Sequence, residues 1–115
     1  MKTSELTGAA LDWAVAKSMG GHIGVANGDV CFDTNNGEGF NVFTPSTDWA
    51  QGGPIIEREG IYLWRPYGVN GAWSAKLDVW PAERVMHDDK PLIAAMRCYV
   101  ASKLGDEVDV PDELI

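Results

Sequence analysis

The chain has 115 residues, enough for one domain with a real core and without metal or disulfide staples. A hydrophobic fraction of 45% with five tryptophans excludes a disordered chain. Nine basic against 17 acidic residues give a formal charge of −8 with no Lys/Arg run, so no DNA or RNA polymer is expected as a partner. One or two well-placed arginines can still hold a small anion against the global sign.

The first predicted element is a helix over about 7–18, with Thr7 as N-cap and Gly20-Gly21 as the stop. Leu11, Trp13, Ala14 and Val15 give it a broad apolar side without fixing which face turns inward. Asp12 and Lys17 interrupt this terminus, so neither a signal peptide nor a membrane span is expected. Cys31 and Cys98 lie far apart and form no CxxC pair, which predicts two free thiols in a reducing compartment, with a single disulfide as the other reading.

In "HIGVANGDVCF", Asn27-Gly28 divides two apolar runs and predicts a two-residue hairpin turn, because both positions tolerate positive φ. The next stretch, "TPSTDWAQGGPIIEREG" over 44–60, shows no helical or strand period and reads as a long irregular loop. A second hairpin is expected with strands over 61–67 and 72–80 and the turn at Asn70-Gly71. Its second strand alternates, with Ala72, Ser74, Lys76 and Asp78 wet and Trp73, Ala75, Leu77 and Val79 packed.

The last long element is a helix capped by Asp88 or Asp89, with Pro91 in its first turn and Gly105 after its end. Leu92, Ile93, Met96, Tyr99, Val100 and Leu104 form its buried stripe. The acidic tail "DEVDVPDELI" is extended, with its valines packing on the body. Together these elements predict a single α+β domain over 1–115: a small antiparallel sheet of about four or five strands with the N- and C-terminal helices packed on it.

Three stretches, "KTSELTGAALDWAVA", "STDWAQGGPIIEREGI" and "PLIAAMRCYVASKLGDEVDVPDEL", resemble the NinX-like proteins of tailed bacteriophages and their prophages, a family without a settled chemistry. The resemblance runs over about 2–114. Within 44–60 the family pattern is matched at Ser46, Asp48, Trp49, Gln51, Gly52, Gly53, Pro54, Ile55, Glu57, Arg58 and Glu59. It implies a phage accessory protein made in the bacterial host cytoplasm.

The 44–60 stretch holds the best candidate site. Gly52 and Gly53 can expose backbone N–H groups to an anion, Trp49 offers a flat face for a ring, and Arg58 a planar fork for phosphate. Asp48 and Gln51 flank them, and Trp64-Arg65 repeats the same chemistry with Tyr67, Trp73 and Trp80 nearby. The competing reading is a structural loop in which Trp49 plugs the core, the glycines turn, and Glu57 or Glu59 pairs Arg58. Five tryptophans exceed what a small core needs, so one or two are expected at a surface.

His87-Asp88-Asp89 fits no zinc spacing, and no P-loop, GxGxxG or catalytic triad order occurs; neither a metal, a cofactor nor enzyme activity is expected. Glu57 and Glu59 are the remaining acid–base candidates. Two functions follow. The first is sequestration of a small nucleotide-derived host defence signal at Asp48, Trp49, Gln51, Gly52, Gly53, Arg58, Trp64 and Arg65. The second is masking of a host or phage protein through an acidic, aromatic surface. Self-association into a homo-oligomer is expected to cover leftover apolar area.

Overall fold

A computed structural model describes residues 1–33, 41–65, 72–81 and 84–115. Among these, helix α1 (Gly8–Met19) leads into strands β1 (His22–Ala26) and β2 (Asp29–Asp33), followed by β3 (Asn41–Val42). Helix α2 (Trp49–Glu59) comes next. Strands β4 (Tyr62–Trp64), β5 (Trp73–Lys76) and β6 (Met86–Asp88) then precede helix α3 (Pro91–Leu104).

The α+β class is as expected, but the sheet is not one of four or five strands. Two separate antiparallel sheets form, ordered β1-β2-β3 and β4-β5-β6. The chain leaves the first sheet after Val42, turns at Pro45–Thr47 and enters α2, which separates the two in sequence.

Helix α1 starts at Thr7 as expected, though the Thr7 hydroxyl makes no capping bond, and it ends on Gly20 at φ 78°. Asn27 at φ 54° and Gly28 at φ 81° make the first hairpin turn, pairing Ala26 with Asp29. Both are left-handed, so the turn is of the primed type whose twist matches its strands. Val30 and Phe32 point from β2 to Ala16 of α1 and form a small second core, with the Phe43 ring tilted against Phe32 at 4.9 Å between centroids.

The second hairpin is shorter than predicted, and Tyr67 and the Asn70-Gly71 turn fall outside the described residues. Its wet-and-packed alternation needs correction. Ser74 is buried, because it lies in a row between Trp64 of β4 and His87 of β6. Val79 is 87% exposed, because β5 ends at Lys76 and the chain turns at Asp78 and Val79.

Helix α3 also departs from expectation. Asp88 belongs to β6, and the N-cap position is Lys90, whose N–H donates to Asp88 Oδ2 at 3.0 Å. Pro91 and Gly105 stand at the two ends as predicted. No single stripe is buried: every residue from Leu92 to Ala101 is, because α1, α2, the second sheet and the amino-terminal turn all pack around α3. Such a helix is core rather than amphipathic.

Inside this apolar shell sits Arg97, 7% exposed. Its Nε donates to the Leu6 carbonyl at 2.8 Å, and one terminal nitrogen reaches the His87 carbonyl at 2.7 Å and Asp88 Oδ1 at 3.2 Å. One side chain thus ties the amino-terminal segment, β6 and α3 together. The tail's valines pack as expected, with Val108 and Val110 buried and Thr3 bonding Gly105 and Asp106, but its end is not extended, because Asp112–Leu114 close a short 3-10 turn after Pro111.

Asp12 of α1 is also buried, and its Oδ1 accepts from the Ser46 amide at 2.9 Å, pinning the turn before α2. Burial pushes its carboxyl above the ordinary 3.8, against the opposing Ser46 hydroxyl and amide. The native state therefore holds this proton longer than the unfolded chain. As pH rises through 3.8 the unfolded chain ionises first, so the group's contribution to stability falls until the folded carboxyl has ionised, and is flat above. Asp12→Asn keeps the acceptor without the charge. Its melting temperature at pH 7 is expected to equal or exceed wild type, with the difference shrinking as pH falls toward 3.8 and the wild-type carboxyl takes up its proton; a lower value at pH 7 with a difference independent of pH would contradict this.

Candidate functional site

The 44–60 stretch is not an irregular loop. Residues Trp49–Glu59 form α2 even though two glycines and a proline disfavour helix by roughly 1 and 3 kcal/mol per residue. Specific bonds hold it. Asp48 caps it by accepting from the Ala50 amide at 2.9 Å, and Gln51 takes the Thr44 amide at 2.6 Å while donating to the Val42 carbonyl at 3.2 Å. Gly60 ends it at φ 66°.

The two glycines have different jobs. A Cβ on Gly52 would lie 2.5 Å from the Pro45 carbonyl and 2.6 Å from Leu92 Cδ1, so this glycine lets α2 approach α3. Its N–H donates to Asp48 O at 2.9 Å, a helical bond that leaves no donor for an anion. Gly53 would meet no such neighbour. It precedes Pro54, where a side chain would crowd the proline ring in helical backbone.

Trp49 does not plug the core, as the structural reading of this stretch had it; it is 53% exposed at the first turn of α2. Arg58 is nine positions further along the same helix. At about 1.5 Å and 100° per residue, the two are roughly 14 Å apart along the axis and half a turn out of phase. One small ligand cannot take the ring and the guanidinium together. Trp49→Ala is expected to change stability by no more than about 0.5 kcal/mol, whereas a buried tryptophan would cost about 3–5 kcal/mol; chemical denaturation distinguishes them.

Arg58 instead joins a cluster where α1, α2 and α3 end. Its Nε lies 2.9 Å from Glu59 Oε2, its guanidinium stacks 5.8 Å from the Tyr99 ring, and Lys103 Nζ is 3.4 Å from Glu59 Oε1. The Arg58 bond, helped by Lys103, holds the Glu59 carboxyl below its usual value, and burial raises that of the Tyr99 phenol. A hollow of about 310 Å³ opens here, yet Ser18 already donates to Ala14 and both cations share one carboxylate. The cluster is largely satisfied by itself, with the two cations also offsetting helix dipoles. Glu57 is exposed beside it.

Trp64 and Arg65 lie elsewhere, at the end of β4. Tyr62 and Trp64 are two positions apart and project to one face, with Leu63 turned inward. Register carries this face across the sheet, Tyr62 opposite Lys76, and Trp64 opposite Ser74, which is opposite His87. Ser74 Oγ is 3.0 Å from His87 Nδ1 and Tyr62 donates to Asp78 at 3.0 Å. At 1% exposure the Ser74 hydroxyl cannot meet a substrate, so this pair braces two strands.

The five tryptophans thus divide. Trp80 is buried under Arg84 at 4.5 Å, Trp13 and Trp73 are half-buried, and Trp49 and Trp64 are the expected surplus. Of the predicted site residues, Asp48, Gln51 and Gly52 brace α2, Gly53 admits Pro54, and Trp49, Arg58 and the Trp64-Arg65 pair fall in three places.

Sequence reading missed a further pair, Trp13 and Lys17, with Nζ 5.7 Å from the indole centroid. Their i, i+4 spacing in a predicted helix was the available signal. Among the described residues no group of three or more His, Cys, Asp or Glu could hold a metal, and no helix is long and apolar enough to cross a membrane.

A protein family described as "Bacteriophage P22, NinX" matches residues 2–103. No curated protein matches the chain.

Proposed function

The chain belongs to the bacteriophage P22 NinX family, and from that premise we propose a non-enzymatic accessory protein that docks on and masks a protein partner in the host cytoplasm. The observation that carries this reading is the outward pair Tyr62 and Trp64, 51% and 37% exposed side by side on one sheet face. Tyrosine, tryptophan and arginine are the side chains enriched at protein interfaces, and Arg65 follows directly. The net charge of −8 favours a basic partner surface, because opposite charge speeds encounter.

Cross-linked pull-down from infected cells tests the reading. One stoichiometric protein, retained in the presence of added nucleotides, is expected; the absence of any such protein would overturn it. The same face also suits a second copy of the chain. A dimer mass by light scattering that reverts to monomer in Trp64→Ala would assign the face to self-association instead.

The second reading, sequestration of a nucleotide-derived host defence signal, draws support from a different place, the hollows beside Trp13 and Lys17. Aromatic face and cation are the chemistry such a ligand needs, and here they stand together.

A further inference from the structure

Trp13 and Lys17 share one face of α1, and the indole is held by packing against both apolar clusters. Two hollows, of about 530 and 370 Å³, meet at this pair. They differ in charge. The larger is floored by Gly20 and Gly21 and rimmed by His22, while the smaller is walled by Glu107 and Asp109. An anion therefore belongs in the larger one.

The floor is built from glycine for a reason. A Cβ on Gly21 would collide with the Phe32 ring and the Asp33 carbonyl, so glycine lets the chain pass close against β2, and this stretch borders the hollow with backbone rather than a side chain. Among the described residues Lys17, like Lys2, Arg65, Lys76 and Lys90, has no carboxylate partner, unlike the four cations that the fold pairs. Arg58 and Lys103 share Glu59, Arg84 faces Asp106 and Arg97 faces Asp88. What sets Lys17 apart from the other unpaired cations is its place over the indole, beside both hollows. A cation free of a carboxylate, beside a fixed aromatic face and over a bare backbone floor, matches a planar ring carrying an anionic group. The volume is in the range of small-ligand sites.

We infer that the Trp13–Lys17 hollow binds a nucleoside monophosphate, the base against the indole and the phosphate toward Lys17 on the Gly20–His22 side. The inference rests on the second reading above and is independent of the docking face. It concerns a free mononucleotide rather than a strand, given the acidic surface.

Titration of the ¹⁵N-labelled full chain with AMP, adenosine, ribose 5-phosphate and a short single-stranded oligonucleotide tests it. AMP should saturably shift the amides of Lys17, Gly20, Gly21 and His22, with adenosine and ribose 5-phosphate each weaker by about tenfold or more. Lys17→Ala, an exposed position, should fold normally and weaken AMP about tenfold while leaving adenosine unchanged. Trp13→Phe keeps the packing volume close and should weaken AMP and adenosine together. Unchanged AMP affinity in Lys17→Ala, adenosine binding as well as AMP, or an oligonucleotide binding more tightly than AMP would each overturn the assignment. Saturable AMP binding centred on Arg58, Tyr99 and Lys103 would overturn this site while keeping the sequestration reading. No saturable binding by any probe would remove both.

Discussion

Arg97→Ala is expected to lower the unfolding free energy by about 3–5 kcal/mol, a large share of the roughly 5–15 kcal/mol available to a domain of this size. The physical reason is not the arginine's attraction alone. Removing it leaves the Leu6 and His87 carbonyls without this donor and the Asp88 carboxylate without its cation, held only by the Lys90 amide. Arg97→Met separates the charge from the volume: it refills the space but repairs none of the three acceptors, so it should remain costly. Asp88→Asn alone should cost less, since the carboxylate is partly solvated and its neighbour keeps two carbonyls. In the Arg97→Met background, Asp88→Asn should recover part of the loss, because an uncompensated charge is removed. Urea denaturation followed by circular dichroism measures all four chains. A loss under about 1 kcal/mol for Arg97→Ala would show that the amino-terminal segment and β6 are not held through this side chain.

Gly52→Ala is the second large effect, and its sign goes against helix propensity. In an open helix alanine would gain about 1 kcal/mol over glycine. Here the new methyl meets the Pro45 carbonyl and Leu92. Leu92 can turn away, but the Pro45 carbonyl lies in a turn fixed by Asp12 at Ser46 and by Gln51 at Thr44. The net expectation is a destabilisation of about 1–3 kcal/mol. Gly53→Ala has open space around it, and its propensity gain is offset by crowding against Pro54, so it should stay within about 1 kcal/mol of wild type. Equal effects at the two positions would contradict the close α2–α3 approach.

How much of this was legible differs from element to element. The Asn27-Gly28 turn was readable because two positive φ angles demand those residue types, and α1 and α3 were readable through their glycine and proline ends. Helix α2 was not, because Gly52, Gly53 and Pro54 within three residues outweigh any local helical signal. The deciding bonds come from Thr44 and Val42 outside the helix and from packing on Leu92. Even so, Asp48 followed three residues later by Gln51, with Gly60 at the far end, is a capping pattern that marks a helix when given weight.

The site was legible only in parts. Surplus tryptophan was read correctly from composition, and Trp49 and Trp64 are exposed. What composition cannot give is phase: Trp49 and Arg58 are close in sequence yet face opposite sides of one helix, while Tyr62 and Trp64 gain significance only once β4 is placed. Arg97 escaped notice because a lone arginine in "PLIAAMRCYVASKL" looks like the wet side of an amphipathic helix. It is buried because α3 has no wet side over Leu92–Ala101.

The claim that the outer face of the second sheet, rather than α2, is the working surface is tested most directly by comparing partner capture from infected cells by wild type, Trp64→Ala and Trp49→Ala. Both variants remove an exposed ring and should fold, with melting temperatures close to wild type. Trp64→Ala is predicted to lose the stoichiometric partner, and Trp49→Ala to retain it. Capture kept by Trp64→Ala and lost by Trp49→Ala would contradict the account and return the function to the first turn of α2.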